Sequence, residues 1–115
     1  MDTGPFRRLK NLYLGEQARV LEGDILHAIR ERRGMAHLYY ITFASNGIDQ
    51  LDILPSYFVR EKRIRNTLPL IVGAALGKAE AYDVVARIAE DAYRHTGSCD
   101  LQRWLIHNSE SEAQA

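Results

Sequence analysis

A chain of 115 residues with 46% hydrophobic and 26% charged side chains has the size and composition of one folded domain, apart from the disordered and membrane classes. Fifteen Lys and Arg balance fifteen Asp and Glu, for zero formal charge at pH 7. That balance argues against wholesale attraction to nucleic acid or anionic lipid, and it lowers the repulsion between copies of the chain.

The single cysteine, Cys99, cannot close an intramolecular disulfide, and a reducing cytoplasm is the expected address. Arg7, Arg8 and Lys10 are not followed by an apolar run of signal-peptide length. The longest nearly uncharged stretch, Asn66 to Gly77, is far shorter than the roughly 20 residues of a membrane span.

In chain order, Ala18, Leu21, Ile25, Ala28 and Ile29 recur at steps of three and four and predict a helix over Glu16 to Arg33. Gly23 interrupts it and leaves open a strand beginning near Ile25; Arg33-Gly34 marks the stop. His37 to Ala44, aromatic and β-branched, predicts a strand that ends at the turn signal Ser45-Asn46-Gly47. Gln50 to Leu54 predicts a second strand, antiparallel to the first because the connection is short.

Pro55 can open a helix through Ser56 to Arg65, with Tyr57, Phe58 and Ile64 as its buried face. Leu68 to Ala74 predicts a strand covered on both faces. Between Ala79 and Tyr93 the pattern predicts a helix whose inner face is 81, 82, 85, 88, 89 and 92 and whose outer face is charged. Asp83 to Arg87 and Glu90 to Arg94 stand at ion-pair spacing. A short final helix carries Leu101, Trp104 and Leu105, after which residues 108–115 lack apolar anchors and are expected to be disordered. The expected fold is therefore α+β: one domain over residues 1–107, with a small mixed sheet of about three strands and helices packed on it.

Three constellations carry possible chemistry. Gly73, Gly77 and Lys78 lie where a buried strand runs into a helix, the kind of junction that binds anions through free N–H groups. The spacing nonetheless departs from the nucleotide-binding P-loop, having three residues between the glycines and Ala79 after the lysine. Arg60, Lys62, Arg63 and Arg65 form the densest basic cluster, with Arg30, Arg32 and Arg33 a second and Arg7, Arg8 and Lys10 a third. Joined with aromatic neighbours they could stack and neutralise single-stranded nucleic acid, although Glu31 and Glu61 interrupt two of them. Tyr57, Phe58 and Trp104, with Tyr13 and Leu14, are candidates for a protein interface.

The four histidines and Cys99 show no metal-ligand spacing and no local nucleophile signature. Asp49 and Asp52 read as polar turn and edge residues. No cofactor, metal or catalytic residue is assigned.

The runs Leu51-Asp-Ile-Leu-Pro-Ser56, Ile71-Val-Gly-Ala-Ala-Leu-Gly-Lys-Ala-Glu-Ala81 and Tyr93-Arg-His-Thr-Gly97 resemble short uncharacterised bacterial proteins of about this length, across most of Ala36 to Leu105. The resemblance implies no activity, ligand or catalytic residue. The sequence favours a binding or regulatory accessory module that acts through protein contacts as a homodimer, with nucleic-acid binding or a small anion-binding enzyme as rival readings.

Overall fold

The computed structural model describes residues 8–44, 50–60 and 69–114, with side chains described at all but 59, 60 and 108–114. Its elements are β1 (Arg8–Leu14), α1 (Glu16–Val20), α2 (Glu22–Glu31), β2 (Leu38–Phe43), β3 (Leu51–Pro55), a short 3-10 helix (Ser56–Arg60), β4 (Ile71–Leu76), α3 (Lys78–Thr96) and α4 (Leu101–Gln114). The fold is mixed α+β. Four strands form one sheet in the order β1-β4-β2-β3, with β1 parallel to β4 and both other pairings antiparallel.

Helices cover both faces. Side chains alternate along β2, and the register shift between Ile71 and Gly73 resets the alternation of β4, so Leu38, Tyr40, Ile71 and Ala74 meet Ala18, Ile25 and Ile29 of α1 and α2 on one side. Ile41, Val72 and Ala75 meet Ala81, Val84, Ile88 and Ala92 of α3 and Leu101 and Leu105 of α4 on the other. The central strand β4 is buried from Ile71 to Ala75, whereas every residue of the edge strand β3 is only half-buried.

β1 is a fourth strand beyond the three expected. Its apolar residues Leu9, Leu12 and Leu14 are interleaved with Arg8, Lys10 and Asn11 in no regular alternation, because the pairing with β4 is itself irregular between Arg8 and Tyr13. The expected helix over 16–33 is two helices broken at Leu21, whose backbone leaves the helical region at φ −106°, ψ 24°. Arg32 ends α2 in the left-handed conformation (φ 58°), and Arg33 N–H reaches back to the Ala28 carbonyl. The stop therefore comes two residues before Gly34.

In α3 the buried positions are 81, 84, 88 and 92; Tyr82 is exposed, and Val85 and Ala89 are half-buried. The inner face is thus turned away from Tyr82. α4 runs on to Gln114, so its backbone carries helix through the segment expected to be disordered; Glu, Ala and Gln are good helix formers once a helix has been nucleated. Gln50, just before β3, clamps its start: the side chain accepts from Leu101 N–H and donates to the Cys99 carbonyl, and its own carbonyl accepts from the Gln102 amide. No helix among the described residues is long and apolar enough to cross a membrane.

Candidate functional site

Parallel neighbours β1 and β4 both run into helices at their carboxyl ends, and those helices lie on opposite faces of the sheet. Such a divergence opens a crevice between the two helix starts, the usual place for a ligand in sheets of this kind. Here it is a cleft of about 410 Å³ lined by Gly15, Glu16 and Gln17 of the β1–α1 junction and by Ala79, Glu80, Asp83, Val84 and Arg87 of α3.

Glu80 organises the cleft. One turn into α3, its carboxylate accepts hydrogen bonds from the backbone N–H of Gln17 at 2.7 Å, Leu76 at 2.7 Å and Ala18 at 3.3 Å. Two of these donors belong to the first turn of α1, whose amides have no partner within the helix. The carboxylate therefore sits where an external anion would have to bind. Gly15 allows the approach, because a Cβ there would run into the Glu80 carboxyl group.

A polar seam continues along α3. Arg87 donates to the Leu14 carbonyl at 2.6 Å and lies 5.7 Å from the Tyr13 ring centre, a cation–π distance. The Tyr13 hydroxyl donates to Asp91 at 2.8 Å. Burial, then the Asp91 carboxylate, pushes the Tyr13 phenol up to about 12, against the opposing pull of the Trp104 N–H and Arg87. Beyond it the Trp104 indole stacks on His95 with ring centres 4.9 Å apart.

Compared with protein-family models, curated proteins and solved structures, this chain finds no match.

Of the proposed anion-binding residues, Gly73 lies inside β4, where the register with β2 shifts between Ile41 and Thr42; a Cβ there would meet the Tyr13 carbonyl oxygen at 2.7 Å. Its role is close packing of β1 on β4. Gly77, at φ 90°, turns the chain into α3 in a conformation that favours glycine, and Lys78 is exposed at the helix start. The two glycines do not share one loop.

Lys62, Arg63 and Arg65 lie outside the described residues, as does the side chain of Arg60. After the second basic cluster the chain packs against the start of the aromatic pair's turn: Gly34 packs on Ser56 and Tyr57, and the Ser56 hydroxyl bridges the Met35 N–H and carbonyl at 2.9 Å each. Arg8 stands at the opposite end of the sheet, beside Ile71.

Tyr57 and Phe58 are each 43% exposed, not the buried face of a helix, because a 3-10 turn follows β3 there. Leu14 belongs to the core, whereas Trp104 is half-buried. Asp49 is outside the described residues, Asp52 lies on β3 and Cys99 is exposed. Among the described residues no group of three His, Cys, Asp or Glu side chains is placed to hold a metal ion. Sequence reasoning missed Glu80 and Arg87, treating both as solvated charges. The available signal was an acidic residue at the third helical position after Gly77, the place from which a carboxylate reaches back to unpaired amides.

Proposed function

We propose that this chain is a small binding module that acts through protein contacts and works as a homodimer. The observation that supports the reading is Tyr57 and Phe58, each 43% exposed, directly after β3, an edge strand paired among the described residues with β2 alone. Exposed aromatic rings are the side chains that most often anchor a protein partner, and an edge strand offers backbone groups to an incoming extended segment. Zero formal net charge leaves little repulsion to oppose pairing.

A second reading, single-stranded nucleic-acid binding, is favoured by the packing of Gly34 on Tyr57. Gly34 is the chain neighbour of the exposed Arg33, and a basic side chain beside exposed aromatic rings is a combination suited to phosphate contact and base stacking.

Sedimentation equilibrium over a hundredfold concentration range tests the pairing, and a constant monomer mass would overturn it. A photo-cross-linking residue at position 58, in the full chain and in the producing cell, separates the two classes of partner. Protein adducts are expected. Nucleic-acid adducts, together with salt-dependent retention on a single-stranded oligonucleotide, would replace the first reading by the second.

A further inference from the structure

Helix α3 holds two acid–base pairs at the spacing that brings side chains together on one helical face. Glu90 and Arg94 close theirs at 2.6 Å. Asp83 and Arg87 do not, because the Arg87 guanidinium is drawn across to the Leu14 carbonyl and over the Tyr13 ring. The Asp83 carboxylate is left without a hydrogen bond or ion pair among the described residues. Of the Arg87 donors only Nη2 is engaged, on Leu14. Both side chains line the cleft of about 410 Å³ between the β1–α1 junction and α3.

The other charges of the cleft narrow what it can hold. Glu80 is occupied by the amides of Gln17, Leu76 and Ala18, whose partial positive charge offsets its own. Glu16, on the opposite wall from α3, is exposed and its carboxylate also has no partner among the described residues. An anion would be repelled by Glu16 and Asp83, and a simple cation would be repelled by Arg87. A molecule carrying both signs a few ångström apart suits all three.

We infer that the cleft binds a free α-amino acid as its zwitterion, the carboxylate on the open donors of Arg87 and the ammonium toward Asp83 and Glu16. Side chains four residues apart on a helix stand about 5 to 6 Å apart at Cβ. With a hydrogen bond of about 2.8 Å at each end, the two charged groups of an α-amino acid bridge a gap of that order. Val84, buried in α3, and Ala79 give the ligand an apolar contact. The volume is that of a small-molecule pocket, and the crevice between diverging helices is where such sheets place ligands. This site is separate from the proposed protein-contact surface, since neither Tyr57 nor Phe58 lines the cleft.

The test is scanning calorimetry of the full chain at neutral pH with each proteinogenic L-amino acid in turn, at about 10 mM or at saturation. At least one is expected to raise the melting midpoint by about 3 °C or more, as a ligand well above its dissociation constant does in a domain of this size. Its α-amide, which lacks the carboxylate, and its N-acetyl form, which lacks the ammonium, should give no shift. Asp83→Asn, at an exposed position, should leave the unliganded midpoint nearly unchanged and abolish the shift. Glu90→Gln, on the same helix but outside the cleft, should retain it. No shift with any amino acid overturns the inference. So does a shift that the amide or the N-acetyl form reproduces, or one that Asp83→Asn leaves intact.

Discussion

The carboxyl group of Glu80 occupies the space that a Cβ at position 15 would need. Gly15 itself has an ordinary extended backbone, φ −64° and ψ 163°, so the constraint is one of room and not of conformation. Gly15→Ala is expected to push the carboxylate off its three amide donors and to cost about 1 to 3 kcal/mol, the range for leaving part-buried donors unpaired. Glu80→Ala removes the same bonds from the other side. Because both changes break one arrangement, the double variant should cost clearly less than the sum. Urea unfolding of the four proteins checks this, and additive losses would dissociate the two residues.

The occupied amides also bear on ligands. With Glu80 holding the first turn of α1, inorganic phosphate at millimolar concentration is expected to leave the melting midpoint of the wild type unchanged. Scanning calorimetry with and without phosphate is the check, since a specific ligand must raise the midpoint by mass action.

Tyr13 makes stability depend on alkaline pH. Its phenol is held protonated up to about 12, mainly by burial and then by Asp91, against about 10 in an unfolded chain. A group whose folded pKa is raised contributes stability that is whole below the unfolded value and is lost as the pH climbs through the folded one. The loss therefore falls between about pH 10 and pH 12. Burial raises the phenol of Tyr40 as well, so the slope has two contributors. Tyr13→Phe should flatten the decline in melting midpoint over this window without abolishing it; an unchanged slope would show that the phenol titrates as if unfolded.

His37 has φ 63° just before β2, and its carbonyl accepts the Gly77 N–H at 2.8 Å. A non-glycine residue in that region costs about 1 kcal/mol, and the His37 side chain is exposed. His37→Gly is therefore expected to stabilise by about 0.5 kcal/mol, read as a higher denaturation midpoint at constant slope.

On α3, Ile88→Asp should prevent folding, because a charge would enter a fully buried site with no partner. Val85→Asp should leave a folded protein, since Val85 is half-buried at the edge of the same cluster. Circular dichroism of the two purified proteins separates them. Arg87→Ala should cost about 1 kcal/mol through the lost bond to Leu14.

Much of the fold is legible in the residues because periodicity reports burial. The aromatic and β-branched run of β2, the short connection to β3 and the long amphipathic α3 all carry their pattern locally. β1 does not. Its partner β4 lies some sixty residues along the chain, and its irregular pairing erases the alternation that would have announced a strand. The cleft was hidden for a related reason: what makes Glu80 a bond acceptor for α1 is a contact across 63 residues, invisible to any local window. In α3 the apolar residues outnumber one face, so sequence alone could not say which set lay inward. The pattern points Tyr82 inward, whereas the structure buries Val84.

The position of β4 between β1 and β2 has a consequence for synthesis. As the chain leaves the ribosome, β1 emerges first and meets no strand it can pair with, while β2 and β3 can close at once as a hairpin. The parallel strand that β1 requires arrives only after that hairpin is complete, and it must enter between two edges already present. Until Ile71 to Leu76 slides into that gap, the backbone edges of β1 and β2 stay open. The window for mispairing between nascent chains is therefore set by the delay between the first strand and the last.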